Sequence, residues 1–185
     1  MIFSLDRLLG RQRTAEPAAL LAFLARQAAF VTQKTVIDYC RVKSGRAERQ
    51  LFTDADFQAA LRHCRWQTFA ASVQDVAALA EAWLRPHAAG REAVLAEGVA
   101  RLGAAILDGA PAPAEERESL DAAREALPRH LTQLQGAPPL AANRLPLLAE
   151  APLLATLPIH PDQRIGETPS IRGALRFHIV STQQE

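Results

Sequence analysis

The chain has 185 residues, a formal net charge of +1 and 49% apolar residues, with alanine and leucine prominent and only 9 glycines, 12 prolines and one tyrosine. That length predicts one domain with at most a tail, and enough apolar material for a core. The scarcity of aromatic and β-branched runs excludes a β-sandwich or barrel, and the near-neutral charge excludes a specialist in nucleic acid or other polyanions.

No uncharged apolar run reaches the roughly 18 to 20 residues that a membrane span needs. The longest stretch, Ala151 to Ile159, is broken by Pro152 and Pro158. The opening MIFSLDRLLG has no basic leader and is not expected to act as a signal peptide. Cys40 and Cys64 are too few for a disulfide framework, so a cytoplasmic protein with reduced thiols is expected. Charge divides unevenly, +5 over residues 1–66 and −4 over residues 67–185. Such a split could orient the chain on an anionic surface or pair two copies head to tail.

Ile2, Phe3, Leu5, Leu8 and Leu9 form a short amphipathic pattern suited to covering the chain's own core. A first long helix is expected from a Thr14 N-cap, with Glu16 and Pro17 in its first turn, to about Lys43, stopping at Ser44-Gly45. One stripe of it holds Leu20, Leu21, Leu24, Ala28, Val31, Thr35, Tyr39 and Val42. Phe23, Phe30 and Ile37 form a second stripe, so the helix should be central. A second long helix is expected from a Thr53 N-cap to about Leu84, before Pro86. Phe57, Leu61, Cys64, Val76, Leu79 and Trp83 share one arc of it.

A third helix fits Arg91 to Leu107, and Gly98 and Gly103 within it suggest close approach of a neighbour. A fourth follows Pro113, with its acids in the first turn, Leu120, Leu127, Leu131 and Leu134 inward, and a kink or break at Pro128. The expected architecture is therefore all-α: an antiparallel four-helix-type bundle over residues 1–136. Residues 137–185 read as a proline-rich, mostly irregular extension packed on the bundle or on a partner. Short helical turns such as Leu145 to Leu154 fit there. Leu175, Phe177 and Ile179 alternate with Arg176, His178 and Val180, the period of a strand, and an unpaired strand must find a partner.

The most informative chemical feature is a polar track in the first helix. Gln27, Lys34, Asp38 and Arg41 fall between its apolar stripes, with Tyr39 beside them, and Lys34 and Asp38 are spaced to pair. Arg65 projects from the apolar arc of the second helix. Buried charges must be paired or used. These six residues are therefore the candidate lining of an interhelical polar cavity for an anionic or amphipathic ligand. An interior salt-bridge network is the competing reading.

Other motifs carry less. Cys40 and Cys64 read as small core residues, and His63 points about 100° away from Cys64 on a helix. His160-Pro161-Asp162 reads as an exposed turn. No zinc-ligand spacing, phosphate loop or nucleophile elbow is present, so neither a metal nor a cofactor is expected. The run RVKSGRAER, residues 41–49, with Arg62 and Arg65 nearby, could meet phosphates or a lipid head group. It lacks helix-turn-helix spacing and interleaved aromatics, so specific nucleic-acid binding is not expected.

Two functions follow as expectations. The first is a non-enzymatic interaction or adaptor protein that self-associates as a homo-oligomer, with residues 170–185 available to a protein partner. The second is a small-molecule binder or enzyme working in the polar cavity. Membrane contact would be peripheral at most.

Overall fold

The structure is a computed structural model and describes residues 16–182. All regular structure among the described residues is helical, with no strand. The amphipathic 2–9 segment and the Thr14 cap lie outside the described residues.

The first rod consists of α1 (Pro17–Gln33), a π-helical turn (Lys34–Asp38) and α2 (Tyr39–Ser44). Pro17 occupies the first turn, where a missing N–H costs nothing. The rod ends where expected, at Gly45, whose φ of 51° suits a residue without a Cβ. A π turn closes i→i+5 bonds and so takes up one more residue than an α turn. Its effect on burial is direct. Leu24, Ala28, Val31 and Thr35 are buried on one stripe, but Val42, seven residues beyond Thr35, is 79% exposed. Val36, Cys40 and Ser44 are buried instead, so the inward stripe steps by one residue at the π turn.

A 3-10 turn (Gly45–Ala47) and α3 (Glu48–Leu51) lead to α4 (Ala55–Leu84). The cap of α4 is Asp54 rather than Thr53. Asp54 Oδ1 accepts from the Phe57 N–H at 2.8 Å, while the Thr53 hydroxyl donates back to the Gln50 carbonyl at 2.9 Å. Every residue from Ala70 to Leu79 is buried, so α4 has no solvent face over that stretch. It packs against α1, α5 (Glu92–Gly109), α6 (Arg117–Leu134) and α7 (Glu150–Thr156).

Side-chain contacts set the directions of these helices. Gln135 Nε2 donates to the Glu92 carbonyl at 2.6 Å, while Arg124 pairs with Asp108 at 3.6 Å, so α5 and α6 run in opposite senses. Glu116 meets His63 and Gln67, and Arg85 meets the Leu134 carbonyl, so α6 runs with α4. Of the kink or break expected at Pro128, the break does not occur. The helix continues through this residue, and the Thr132 hydroxyl donates to the Pro128 carbonyl at 2.9 Å.

Between residues 137 and 167 there is no long helix, only α7 and a 3-10 turn (Pro161–Arg164). Ala142, Leu145, Ala149, Leu153, Leu157 and Ile159 from this stretch share one buried cluster with Leu24, Val31 and Val76. The strand expected at residues 175–180 is instead part of α8 (Thr168–Thr182). Ile171, Leu175, Ile179 and Thr182 are buried at helical spacing, whereas Phe177 is 67% exposed. The alternation read over six residues failed because Ile171 and Thr182 lie outside that window and extend a period near 3.6. Pro169 sits in the first helical turn, where proline is favoured. A helix also satisfies its own backbone, which a lone strand cannot.

The two α5 glycines separate cleanly. A Cβ at Gly103 would overlap Leu127 Cδ2 and lie 3.8 Å from Val73 Cγ1, whereas a Cβ at Gly98 would meet nothing. Gly98→Ala is therefore expected to stabilise the protein by about 0.5–1 kcal/mol, through helix propensity alone. Gly103→Val should cost about 1–3 kcal/mol through overpacking. Urea denaturation measures both, and equal shifts at the two positions would show that Gly103 is not a contact point.

Candidate functional site

The six residues read as one cavity fall at different places in the fold. Gln27 is 2% exposed on α1. Lys34 and Asp38 form a half-exposed ion pair at 3.0 Å along the π turn. The Tyr39 hydroxyl donates to Glu167 Oε2 at 3.2 Å, and Lys43 pairs with the other oxygen of the same carboxylate. Burial and that hydrogen bond push the Tyr39 phenol up to about 12, and Lys43 holds the Glu167 carboxyl below its usual value. Arg41 is exposed and lies 3.4 Å from Glu48. Arg65 stands on α4 at the edge of a groove that none of the other five lines. The physical reason is the π turn: a wheel at a constant 100° per residue loses phase there, so residues before and after it no longer share the assigned face.

Arg65 does mark a cavity. A half-open groove of ≈ 630 Å³ runs between α1, α4 and the end of α5. Leu21, Ala25, Ala29 and Thr32 supply one wall from a single face of α1; Trp66 and Phe69 supply the second; Ala105, Ile106, Gly109 and Ala110 close the third. The groove exists because small residues of α1 and α5 face each other across it, leaving room that larger side chains would fill. Its polar groups are few. Arg62, Arg65 and Gln33 line it, and Arg62 and Arg65 have no ion pair among the described residues. The Thr32 hydroxyl is buried in its wall without a hydrogen-bond partner among the described residues.

A second concavity of ≈ 640 Å³ lies at the turn after the first rod, lined by Arg41, Gly45, Arg46, Glu48, Arg49 and Phe52. It is the place where the basic run of residues 41–49 comes together.

Two buried polar centres hold α4 in place. Glu81 receives Arg85 through two parallel bonds of 2.8 and 2.6 Å and Gln135 Nε2 at 2.8 Å. Arg85 also donates to the carbonyls of Leu134 and Ala137. This is the bidentate geometry that makes a buried ion pair tolerable. Asp75 is the other. Its two oxygens accept the Leu148 and Ala149 N–H groups at 2.7 and 3.0 Å, so a side chain of α4 caps the start of α7. Neither centre is among the sequence-derived candidates, although Asp75 and Glu81 are conspicuous acids in the alanine-rich stretch AASVQDVAALAEAW.

The remaining motifs behave as small structural parts. Cys40 and Cys64 are buried and free, and burial pushes the Cys40 thiol up to about 12 and raises that of Cys64, which suppresses the nucleophilic thiolate. His63 Nδ1 lies 2.8 Å from buried Glu116, away from Cys64. His160 is exposed, its Nδ1 accepting the Asp162 N–H at 3.3 Å in a turn. Among the described residues no group of three or more His, Cys, Asp or Glu could hold a metal ion, and no helix is long and apolar enough to cross a membrane. The chain matches no protein-family model, no curated protein and no solved structure.

Burial raises the Asp75 carboxyl from 3.8 to about 7, opposed by the two N–H groups and by Arg176. A folded-state value above the unfolded one means that the folded chain holds the proton more tightly. The stabilisation from this group is then complete below the unfolded value and is lost as pH rises through about 7. His130 and His178, whose values burial lowers, act in the opposite sense and lose stability as pH falls. The difference in urea midpoint between wild type and Asp75→Asn isolates the carboxyl. That difference should shift against wild type as pH is raised from about 5 to about 8. A pH-independent difference would show that Asp75 does not titrate across this range.

Proposed function

We propose that this protein binds a small amphipathic anion, an apolar body with an acidic head, in the groove between α1, α4 and α5. One observation carries the reading: two arginines whose side chains have no partner among the described residues edge a groove whose walls are mostly apolar. Guanidinium forks match carboxylate or phosphate oxygens, and leaving them unpaired beside apolar surface wastes that match unless an anion arrives. The groove's volume falls in the range of small-molecule sites. Thr32 and Gln33 offer further polar contacts near the head. In this reading α1, α4, α5 and α6 form an antiparallel four-helix bundle, and the ligand lies along one seam of it. Free, buried Cys40 and Cys64 fit a reducing, cytoplasmic setting.

Trp66 lines the groove, so it reports binding once Trp83 is replaced. In a Trp83→Phe background, dodecanoate should change Trp66 emission saturably. Arg62→Ala together with Arg65→Ala should weaken the response about ten-fold or more while helicity is kept. Equal binding of dodecanol, which lacks the acid, would sink the proposed role of the arginines.

Self-association is a second reading, now resting on different ground. The strand that suggested it is a helix whose apolar residues are buried in its own core. Its outer face, however, carries Phe177, 67% exposed, in edge contact with His178, which also meets Phe30. Exposed aromatic surface favours contact with another chain. Light scattering should then give a homodimer that Phe177→Ser converts to monomer; a monomeric wild type would dismiss this reading.

A further inference from the structure

We propose that the concavity at residues 41–52 is a phosphate-monoester site, built by Arg41, Arg46 and Arg49 around the turn that ends the first rod. The proposal is independent of the groove and of its ligand. Three guanidinium groups share this one concavity with a single carboxylate, Glu48, and with Phe52 as its one large apolar side chain. Arg41 is fixed in two ways: its Nε lies 3.4 Å from Glu48 Oε1, and its guanidinium lies 6.0 Å from the Phe52 ring centroid. A guanidinium held by a carboxylate and an aromatic ring loses less freedom when it meets a ligand.

Arg46 and Arg49 are three residues apart across the 3-10 turn and α3, on the same side of the chain. Their guanidinium groups have no hydrogen-bond or ion-pair partner among the described residues. Gly45 completes the wall with positive φ and with open space where a Cβ would stand, so a ligand can approach the backbone there. Nearby Lys43 is committed elsewhere, to Glu167.

The local count leaves about two positive charges without compensation, in a chain whose total is only +1. Like charges gathered in one concavity repel each other. The charge and shape that relieve this are those of a compact dianion with several acceptor oxygens, and a phosphate monoester is that species near pH 7. The nearly polar lining distinguishes this site from the α1–α4–α5 groove, where a long apolar body is accommodated. A phosphate monoester can be free in solution or be the head group of phosphatidic acid, and both present the same chemistry.

The test is calorimetric titration of the full chain with inorganic phosphate, beside flotation with vesicles of phosphatidic acid in phosphatidylcholine. Arg46→Gln/Arg49→Gln is the variant, with circular dichroism and the urea midpoint as checks that the fold survives. Saturable phosphate binding that the variant weakens about ten-fold or more supports the site with a soluble ligand. Flotation that requires phosphatidic acid and is lost in the variant supports it with a lipid head group. Equal flotation with phosphatidylserine at matched surface charge would overturn the proposal, because the arginines would then read charge alone. No binding to either probe, or binding that the variant leaves unchanged, overturns it as well. Should the double variant fail to fold, Arg49→Lys keeps the charge but not the fork, and undiminished binding by that protein counts against the site.

Discussion

The burial of α4 on every side is the constraint on which the rest of this fold depends. Between Ala70 and Leu79 every residue is buried, so a carboxylate there must be met by protein. Asp75 is met by the N–H groups that open α7, and Glu81, two residues beyond the stretch, by Arg85 and Gln135. Each of these bonds ties a different part of the chain to α4. Asp75 fastens the proline-rich stretch, and the Glu81–Arg85 pair fastens the end of α6 and the start of α5. Removing one partner would leave a charge stranded in the core, which costs far more than the intact pair contributes. Alanine at 70, 71, 77 and 78 is what lets several neighbours come close at once.

The same packing explains where charge is left free. Arginines whose helices are buried on several sides either find a partner, as Arg85 does, or are displaced to an edge. Arg62 and Arg65 stand at the edge of an apolar groove, while Arg46 and Arg49 crowd a turn with Arg41. These are two different environments. In the first, a guanidinium borders apolar walls and invites a ligand with a tail. In the second, several guanidiniums border little but each other and invite a compact anion. Both proposals rest on this contrast between unpaired charge and the surface beside it, and neither needs a catalytic group.

Much of the helical frame was legible because its signals are local. The long apolar stripes, the stop at Ser44-Gly45, the end of α4 before Pro86 and the inward leucines of α6 all follow from side-chain spacing and capping chemistry. Three readings needed a neighbour to decide them. Thr53 and Asp54 are both competent caps, and the chain uses the second. Pro128 removes a hydrogen bond, yet α6 continues through it with Leu127 and Leu131 fully buried on either side. The alternation at residues 175–180 has two periods until it is known whether Ile171 and Leu175 share a core. Arg65 was found as a marked residue, but its companions at the groove, Arg62 excepted, are mostly alanines and other apolar residues with no signature of their own.

By itself, then, the sequence determined a mostly helical chain, the approximate ends of its long helices and most of the inward faces, because these depend on residues a few positions apart. Only the tertiary structure decided that residues 168–182 form a helix, that the first rod steps by one residue at Lys34–Asp38, and that Asp75 and Glu81 are anchoring acids. It also decided which arginines share a cavity. These outcomes turn on which distant surfaces meet, and contact between distant surfaces leaves no periodicity in the chain to be read.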